Sequence, residues 1–177
     1  MHPIGENDVR GQKSPYFVNS TEMIEKEYIK NLVSNYLEQN SLFLVDVEND
    51  KENNIEVTIE SNDSTVVLED CVNVSHIIDK GLDREKEDYS LTVTSAGLDR
   101  PFKVLRQYQK YSGKDVDIVM KNGEKLSAVI ISAEEAGIEV ALTKLVKLEG
   151  KKRKEKQELR EFIKYSEMKS VKPKITI

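Results

Sequence analysis

The sequence predicts an α+β protein in two successive parts, a helix-strand-strand-helix-strand layer followed by a small antiparallel β-barrel. Three observations carry that prediction. Apolar residues recur at three- and four-residue spacing from Ile24 to Leu37. Apolar and polar residues alternate from Ile55 to Glu60. After Pro101 the pattern breaks into short alternating runs punctuated by Asn122-Gly123, the strongest hairpin signal in the chain.

Residues 1–22 show no apolar period and contain Pro3, Gly5, Gly11 and Pro15, so they read as a flexible leader outside the fold, with Met23 as an alternative start. Ser20 or Thr21 is placed to cap the first helix, with Glu22 in its first turn and an end near Gln39 or Asn40. Residues 42–48 read as a strand, closed by the turn-forming run at 49–54. Ile55, Val57 and Ile59 give a second, half-buried strand. A second helix is expected from about 67–69 to Lys80, with Gly81 as its stop. Tyr89, Leu91 and Val93 alternate with Ser90, Thr92 and Thr94 as a third strand, so helices would cover one face of a small sheet.

Beyond Pro101, residues 102–111 predict a short helix ended before Gly113. Alternating runs then centre on Val116-Ile118-Met120, Leu126-Ala128-Ile130 and Ile138-Val140-Leu142, with residues 162–165 and 168–175 supplying the last strands. Five or so short antiparallel strands in this length suggest a barrel, which closes its edges instead of exposing them. The division expected is a leader at 1–22, an α/β domain at 23–95, a linker at 96–101 and a barrel domain at 102–177.

Composition narrows the function. One cysteine, Cys71, excludes an intramolecular disulfide framework, and no export pattern or membrane-length apolar stretch is present, which together point to the cytoplasm. Cys71, His2 and His76 cannot make a zinc-finger set, and no P-loop, nucleophile elbow, HExxH or dinucleotide glycine fingerprint occurs. The chain therefore reads as non-catalytic, with no cofactor and no metal. Its net charge of −5 hides an asymmetry: residues 1–101 hold 9 Lys+Arg against 21 Asp+Glu, and residues 102–177 hold 18 against 11. Balances of −12 and +7 suggest two surfaces with different partners, or two halves that attract each other.

Two segments could carry binding. The junction holds Ser95, Ala96, Gly97, Leu98, Asp99, Arg100 and Pro101, where a strand stops, Gly97 permits positive φ and Pro101 keeps Arg100 out of helical geometry. Turn formers this dense favour a structural role, with Asp99 accepting backbone N–H bonds and Arg100 tying the halves together; the functional alternative is that Arg100 grips a phosphate or a partner carboxylate. The second segment is the basic run at 147–156, containing Lys151, Lys152, Arg153, Lys154 and Lys156, read as a mobile loop that either contacts RNA phosphates or stays solvated. Asp70, in the first turn of the second helix, suits capping. Beside two carboxylates, Cys71 suits packing better than nucleophilic chemistry.

Asp70-Cys71, the strand Tyr89-Ser90-Leu91-Thr92-Val93 and the run from Ser95 through Gly97-Leu98-Asp99-Arg100-Pro101 to Phe102 together resemble the bacterial ribosome maturation factor RimP family, in order and spacing, over nearly all of residues 23–177. One departure is Ala96, which stands where the family usually has proline; the long basic run looks like an elaboration of a short family hairpin. The resemblance implies that the C-terminal barrel is similar to Sm and SH3-like folds. It implies a non-catalytic role in assembly of the small (30S) ribosomal subunit, on the free immature particle, through a small-subunit ribosomal protein and 16S rRNA. The protein is expected to be a monomer, with its acidic half toward ribosomal protein and its basic half toward RNA, or with the protein contact reversed, since ribosomal proteins also meet the family's barrel. The alternative is an Sm-type general RNA-binding regulator that forms rings; a carboxylate-and-metal hydrolase is a distant third, lacking ligand spacing.

Overall fold

The structure, a computed structural model, describes residues 24–86, 88–147, 149–150 and 154–175. Its first part follows the expected order: helix α1 (Lys26–Gln39), strands β1 (Leu42–Asn49) and β2 (Asn54–Ser61), helix α2 (Leu68–Gly81) and strand β3 (Ser90–Ser95). The three strands form one sheet in the order β1-β2-β3, with β1 and β2 antiparallel and β2 and β3 parallel. The parallel pair requires a crossover, which α2 provides.

α1 begins later than its sequence signals suggest; Ser20, Thr21 and Glu22 lie outside the described residues. Local hydrogen bonding explains the late start. Ile24 is clasped by Asn49 and Asn53, its N–H donating to Asn53 Oδ1 (3.3 Å) and its carbonyl accepting from Asn49 Nδ2 (2.9 Å), and Glu25 after it is extended. Helical geometry cannot start until the chain leaves that clasp. The β1–β2 turn itself is organised by Asp50, whose Oδ1 accepts the N–H groups of Glu52 (2.8 Å) and Asn54 (3.0 Å).

Ile29, Val33 and Leu37 of α1 and Val74 and Ile78 of α2 bury against Val47, Ile55, Val57 and Ile59 of the sheet, all at most 4% exposed. The core edge is sealed by Tyr89, whose hydroxyl donates to Asp79 Oδ1 (2.7 Å), an oxygen that also accepts Arg84 Nη2 (2.8 Å). Burial first, and then the Asp79 bond, push the Tyr89 hydroxyl up from its ordinary 10 to about 12. The folded chain thus holds this proton more tightly than the unfolded chain does. Its stabilising contribution is complete below pH 10 and is lost as pH rises toward 12. Urea midpoints measured at pH 9 and pH 11.5 should fall further for the parent protein than for Tyr89→Phe.

The second part opens with the short helix α3 (Leu105–Lys110), followed by strands β4 (Asp115–Met120), β5 (Lys125–Ala133), β6 (Gly137–Lys147) and β7 (Lys154–Lys164), a 3-10 turn (Tyr165–Glu167) and strand β8 (Met168–Pro173). The five strands are antiparallel in the order β7-β6-β5-β4-β8. Gly123, at φ +89°, makes the β4–β5 turn predicted from Asn122-Gly123. Val116, Ile118, Ile130, Ile138, Val140, Ile163 and Val171 fill one face.

Two expectations need correction. The sheet is not a closed barrel: among the described residues no ladder joins β7 to β8, and these remain its edges. A single 3-10 turn nevertheless connects the two edge strands, so the sheet curls to bring its ends near each other. Second, β7 starts well before residue 162, because it pairs with β6 along the whole length from Gly137↔Lys164 to Lys147↔Lys154. Its polar sequence hid it.

Candidate partner-binding surfaces

The junction is fixed at both ends by backbone bonds. Ser95 closes β3 in register with Ile59, and the next N–H, that of Ala96, donates to the Ile59 carbonyl (3.0 Å). At the other end Phe102 N–H donates to Val171 O of β8 (2.8 Å). The intervening turn is closed by Arg100 N–H to Gly97 O (3.2 Å). Gly97 does not use the left-handed region, contrary to expectation. A Cβ there would lie 2.6 Å from Asp99 Oδ1, so the glycine makes room for the Asp99 carboxylate. Leu98 is 58% exposed, and Asp99, Arg100 and Pro101 are exposed as well.

Arg100 is committed to an ion pair, Nη1 to Glu56 Oε1 at 2.8 Å, on the face of the first sheet opposite its helices. It is the first of several cations on that face. Lys103 Nζ pairs with Asp46 and, at 3.0 Å, with Glu48. Lys110 Nζ pairs with Glu60 Oε1 (2.8 Å) and donates to Ser64 O (2.9 Å), while the Arg106 guanidinium lies 5.5 Å from the Phe43 ring centre. The register sets Phe43 opposite Glu60, Asp46 opposite Thr58 and Glu48 opposite Glu56, so these groups share one surface. Burial alone would raise the Asp46 carboxyl, but the Lys103 bond and charge outweigh it and hold it below its ordinary value; Lys103 is raised by Asp46 and then Glu48. The halves are therefore stitched together by their opposite charges. Phe43, Val45 and Thr58, which lie outside both apolar cores, are buried as well.

These contacts bear on Ala96. Ala96→Pro would remove the N–H that bonds Ile59, a loss of about 1 kcal/mol, and would recover about 0.4–1 kcal/mol by stiffening the unfolded chain. Urea unfolding should show a net change below about 1 kcal/mol. The angle between the halves, read by small-angle scattering, should not move, because the ion pairs of Arg100, Lys103 and Lys110 set it.

A depression of about 370 Å³ lies beside the junction, lined by Glu48, Asp50, Glu56, Ser90 and Thr92. Two of its three carboxylates are already paired with Lys103 and Arg100, so it holds no free carboxylate couple for acid-base work. Asp70 accepts the Val67 N–H (3.0 Å) and caps α2. The Cys71 thiol is pushed up by burial and then by Asp70, which suits packing against the core and disfavours thiolate. Among the described residues no group of three or more His, Cys, Asp or Glu could hold a metal ion, and no helix is long and apolar enough to cross a membrane.

The basic run is divided. Lys151, Lys152 and Arg153 lie outside the described residues. Lys154 and Lys156 belong to β7, so the run is not wholly a loop. β5 accompanies β6 only as far as Leu142; beyond it, residues 143–147 and 154–158 continue as a two-stranded ribbon. Sequence reasoning placed Phe162 in one of the last strands without assigning its face: Ile163 is 2% exposed and Phe162 47%. Adjacent apolar residues on a strand face opposite ways, and only the register decides which is buried.

The family model for the RimP N-terminal domain matches residues 32–99. Over 139 residues the chain is 37% identical to a Porphyromonas gingivalis protein named ribosome maturation factor RimP, covering 77% of this chain and 91% of that one. Proteins of the same name from Christiangramia forsetii and Flavobacterium psychrophilum are also 37% identical, over 66% and 67% of this chain and 75% and 76% of theirs.

Proposed function

The chain belongs to the ribosome maturation factor RimP family, and on that premise we propose that it is a non-catalytic assembly factor for the small (30S) ribosomal subunit. It binds the free immature particle in the cytoplasm, as a monomer, through a small-subunit ribosomal protein and 16S rRNA. The observation that carries this reading is the identity to curated maturation factors across nine-tenths of a relative's length. Two domains, 23–95 and 102–177, joined at 96–101, supply the two surfaces. The second is of the Sm/SH3-like kind, a reading supported by five antiparallel strands with the last beside the first and a 3-10 turn before it. Among the acids of the first part, Asp46, Glu48, Glu56 and Glu60 are already matched internally. A basic ribosomal protein would therefore meet acids elsewhere on that part. RNA contact falls to the basic run, including Lys151, Lys152, Arg153, Lys154 and Lys156. Arg100 serves the junction.

Sedimentation tests the reading directly. Tagged protein in a low-salt lysate should travel with the free small-subunit fraction of a sucrose gradient and be absent from polysomes. Its absence from that fraction, with ribosomes intact, would overturn it.

A further inference from the structure

The β6–β7 register brings to one face a set of residues that the sequence scatters. The pairs Glu139↔Phe162, Ala141↔Arg160, Thr143↔Glu158 and Leu145↔Lys156 are consecutive same-side pairs of an unbroken antiparallel ladder. The opposite face of the same strands carries Ile138, Val140, Leu142 and Ile163 into the core, so the first set points outward. On that outer face Phe162 is 47% and Leu145 62% exposed; Lys156, opposite Leu145, and Arg160 are exposed as well, with the exposed Glu158 between them and Glu139 opposite Phe162. Neither cation forms an ion pair among the described residues. The ladder runs five register pairs past the last β5–β6 pair, Ala128↔Leu142, an arm of about 17 Å. Residues 144–160 hold eight Lys or Arg, three of them outside the described residues, against three Glu, so this stretch of sequence is strongly cationic although the chain as a whole is acidic.

We infer that the outer face of the β6–β7 arm is a binding platform for single-stranded RNA, with Phe162 stacking on an unpaired base and Arg160 and Lys156 neutralising the flanking phosphates. This rests on, and deepens, the proposed role in subunit assembly. The face itself is charge-balanced, so it is the adjoining basic run that selects a polyanion, and the exposed Phe162 and Leu145 select among polyanions. A duplex hides its base faces and offers phosphates and 2′-hydroxyls, for which an exposed phenylalanine and leucine have no use. Unpaired nucleotides expose the faces that an aromatic ring and an aliphatic edge can cover. The platform is mounted on a hydrogen-bonded ribbon, so little ordering is needed on binding.

The test uses the full chain, a labelled 12-nucleotide single-stranded RNA and an RNA hairpin of equal charge, read by fluorescence anisotropy. The single strand should bind more tightly than the hairpin. Phe162→Ala should weaken single-strand binding roughly tenfold or more, and Phe162→Tyr should restore it. Lys156→Ala and Arg160→Ala should each lower the slope of log affinity against log salt by about 0.7. Because Phe162 is an outward residue, circular dichroism melting of Phe162→Ala should match the parent. Unchanged affinity in Phe162→Ala, or preference for the hairpin, would overturn the inference; so would doubling of mass in light scattering with no RNA affinity, which would assign the arm to self-association. Gradient sedimentation separates the two claims. If the parent protein travels with small subunits and Phe162→Ala keeps its RNA affinity, only the platform falls. If the parent does not travel with them yet Phe162→Ala loses RNA affinity, the platform stands and the assembly role falls.

Discussion

Lys110→Ala is expected to destabilise the protein by about 2–3 kcal/mol, more than any other single change at the junction. Lys110 and Glu60 are 14% and 12% exposed, the least solvated of the described ion pairs, and Lys110 also satisfies the Ser64 carbonyl. Truncating the lysine takes the cation from a nearly buried carboxylate, which keeps the Ser61 N–H (3.1 Å), and the donor from the Ser64 carbonyl, and that penalty exceeds the value of the pair itself. The asymmetry gives the check. Adding Glu60→Gln to Lys110→Ala should return a good part of the loss in urea unfolding, because the remaining group is then neutral. By contrast Arg100→Ala, whose pair with Glu56 is 53% and 37% exposed, should cost less than about 1 kcal/mol. Equal effects from the two substitutions would refute burial as the cause.

Gly137→Ala is the second large effect. The added methyl would sit 2.3 Å from the Ile163 carbonyl oxygen and 2.9 Å from Lys164 Cα, both backbone atoms that no rotamer change can move aside. The β6 and β7 strands would have to part at their root, next to the buried Ile138 and Ile163. A loss of about 3 kcal/mol follows, at the upper end for overpacking, with a lowered thermal midpoint. Gly123→Ala, with open space around its Cβ but φ at +89°, should cost about 1 kcal/mol through backbone strain alone. Amide exchange should localise the Gly137 damage to the β6–β7 pairing.

The contrast between those glycines shows where the sequence was legible. Gly123 follows Asn in the three-residue loop between Met120 and Glu124, a local signal that names its own conformation. Gly137 is demanded by a strand more than twenty residues away in the chain, and nothing local says so. The same division runs through the fold. α2, β3 and the α3–Gly113 boundary follow from period, capping and turn chemistry within short windows. β7 was invisible over residues 154–161 because both its faces are polar where the ribbon leaves the sheet. The acidity of the first half was plain in the sequence, but not that four of its carboxylates are matched by Arg100, Lys103 and Lys110; a charge count cannot show which surface the charges share. Arg100 was legible as a tie, and Phe162 was not legible as an exposed ring, since alternation leaves the choice of face to the register.

The cover over the first sheet also has a consequence in time. Synthesis delivers β1, β2 and β3 before the stretch from Arg100 to Lys110 that lies over Phe43 and the carboxylates beside it. A nascent chain that has just released β3 can complete its helix-sheet core, yet it presents an uncovered aromatic ring and four unmatched acids until the next dozen or so residues emerge. The second half thus arrives late and seals a face already formed. A chain arrested at Pro101 should fold and yet bind a hydrophobic dye, and release of the full chain should abolish that signal.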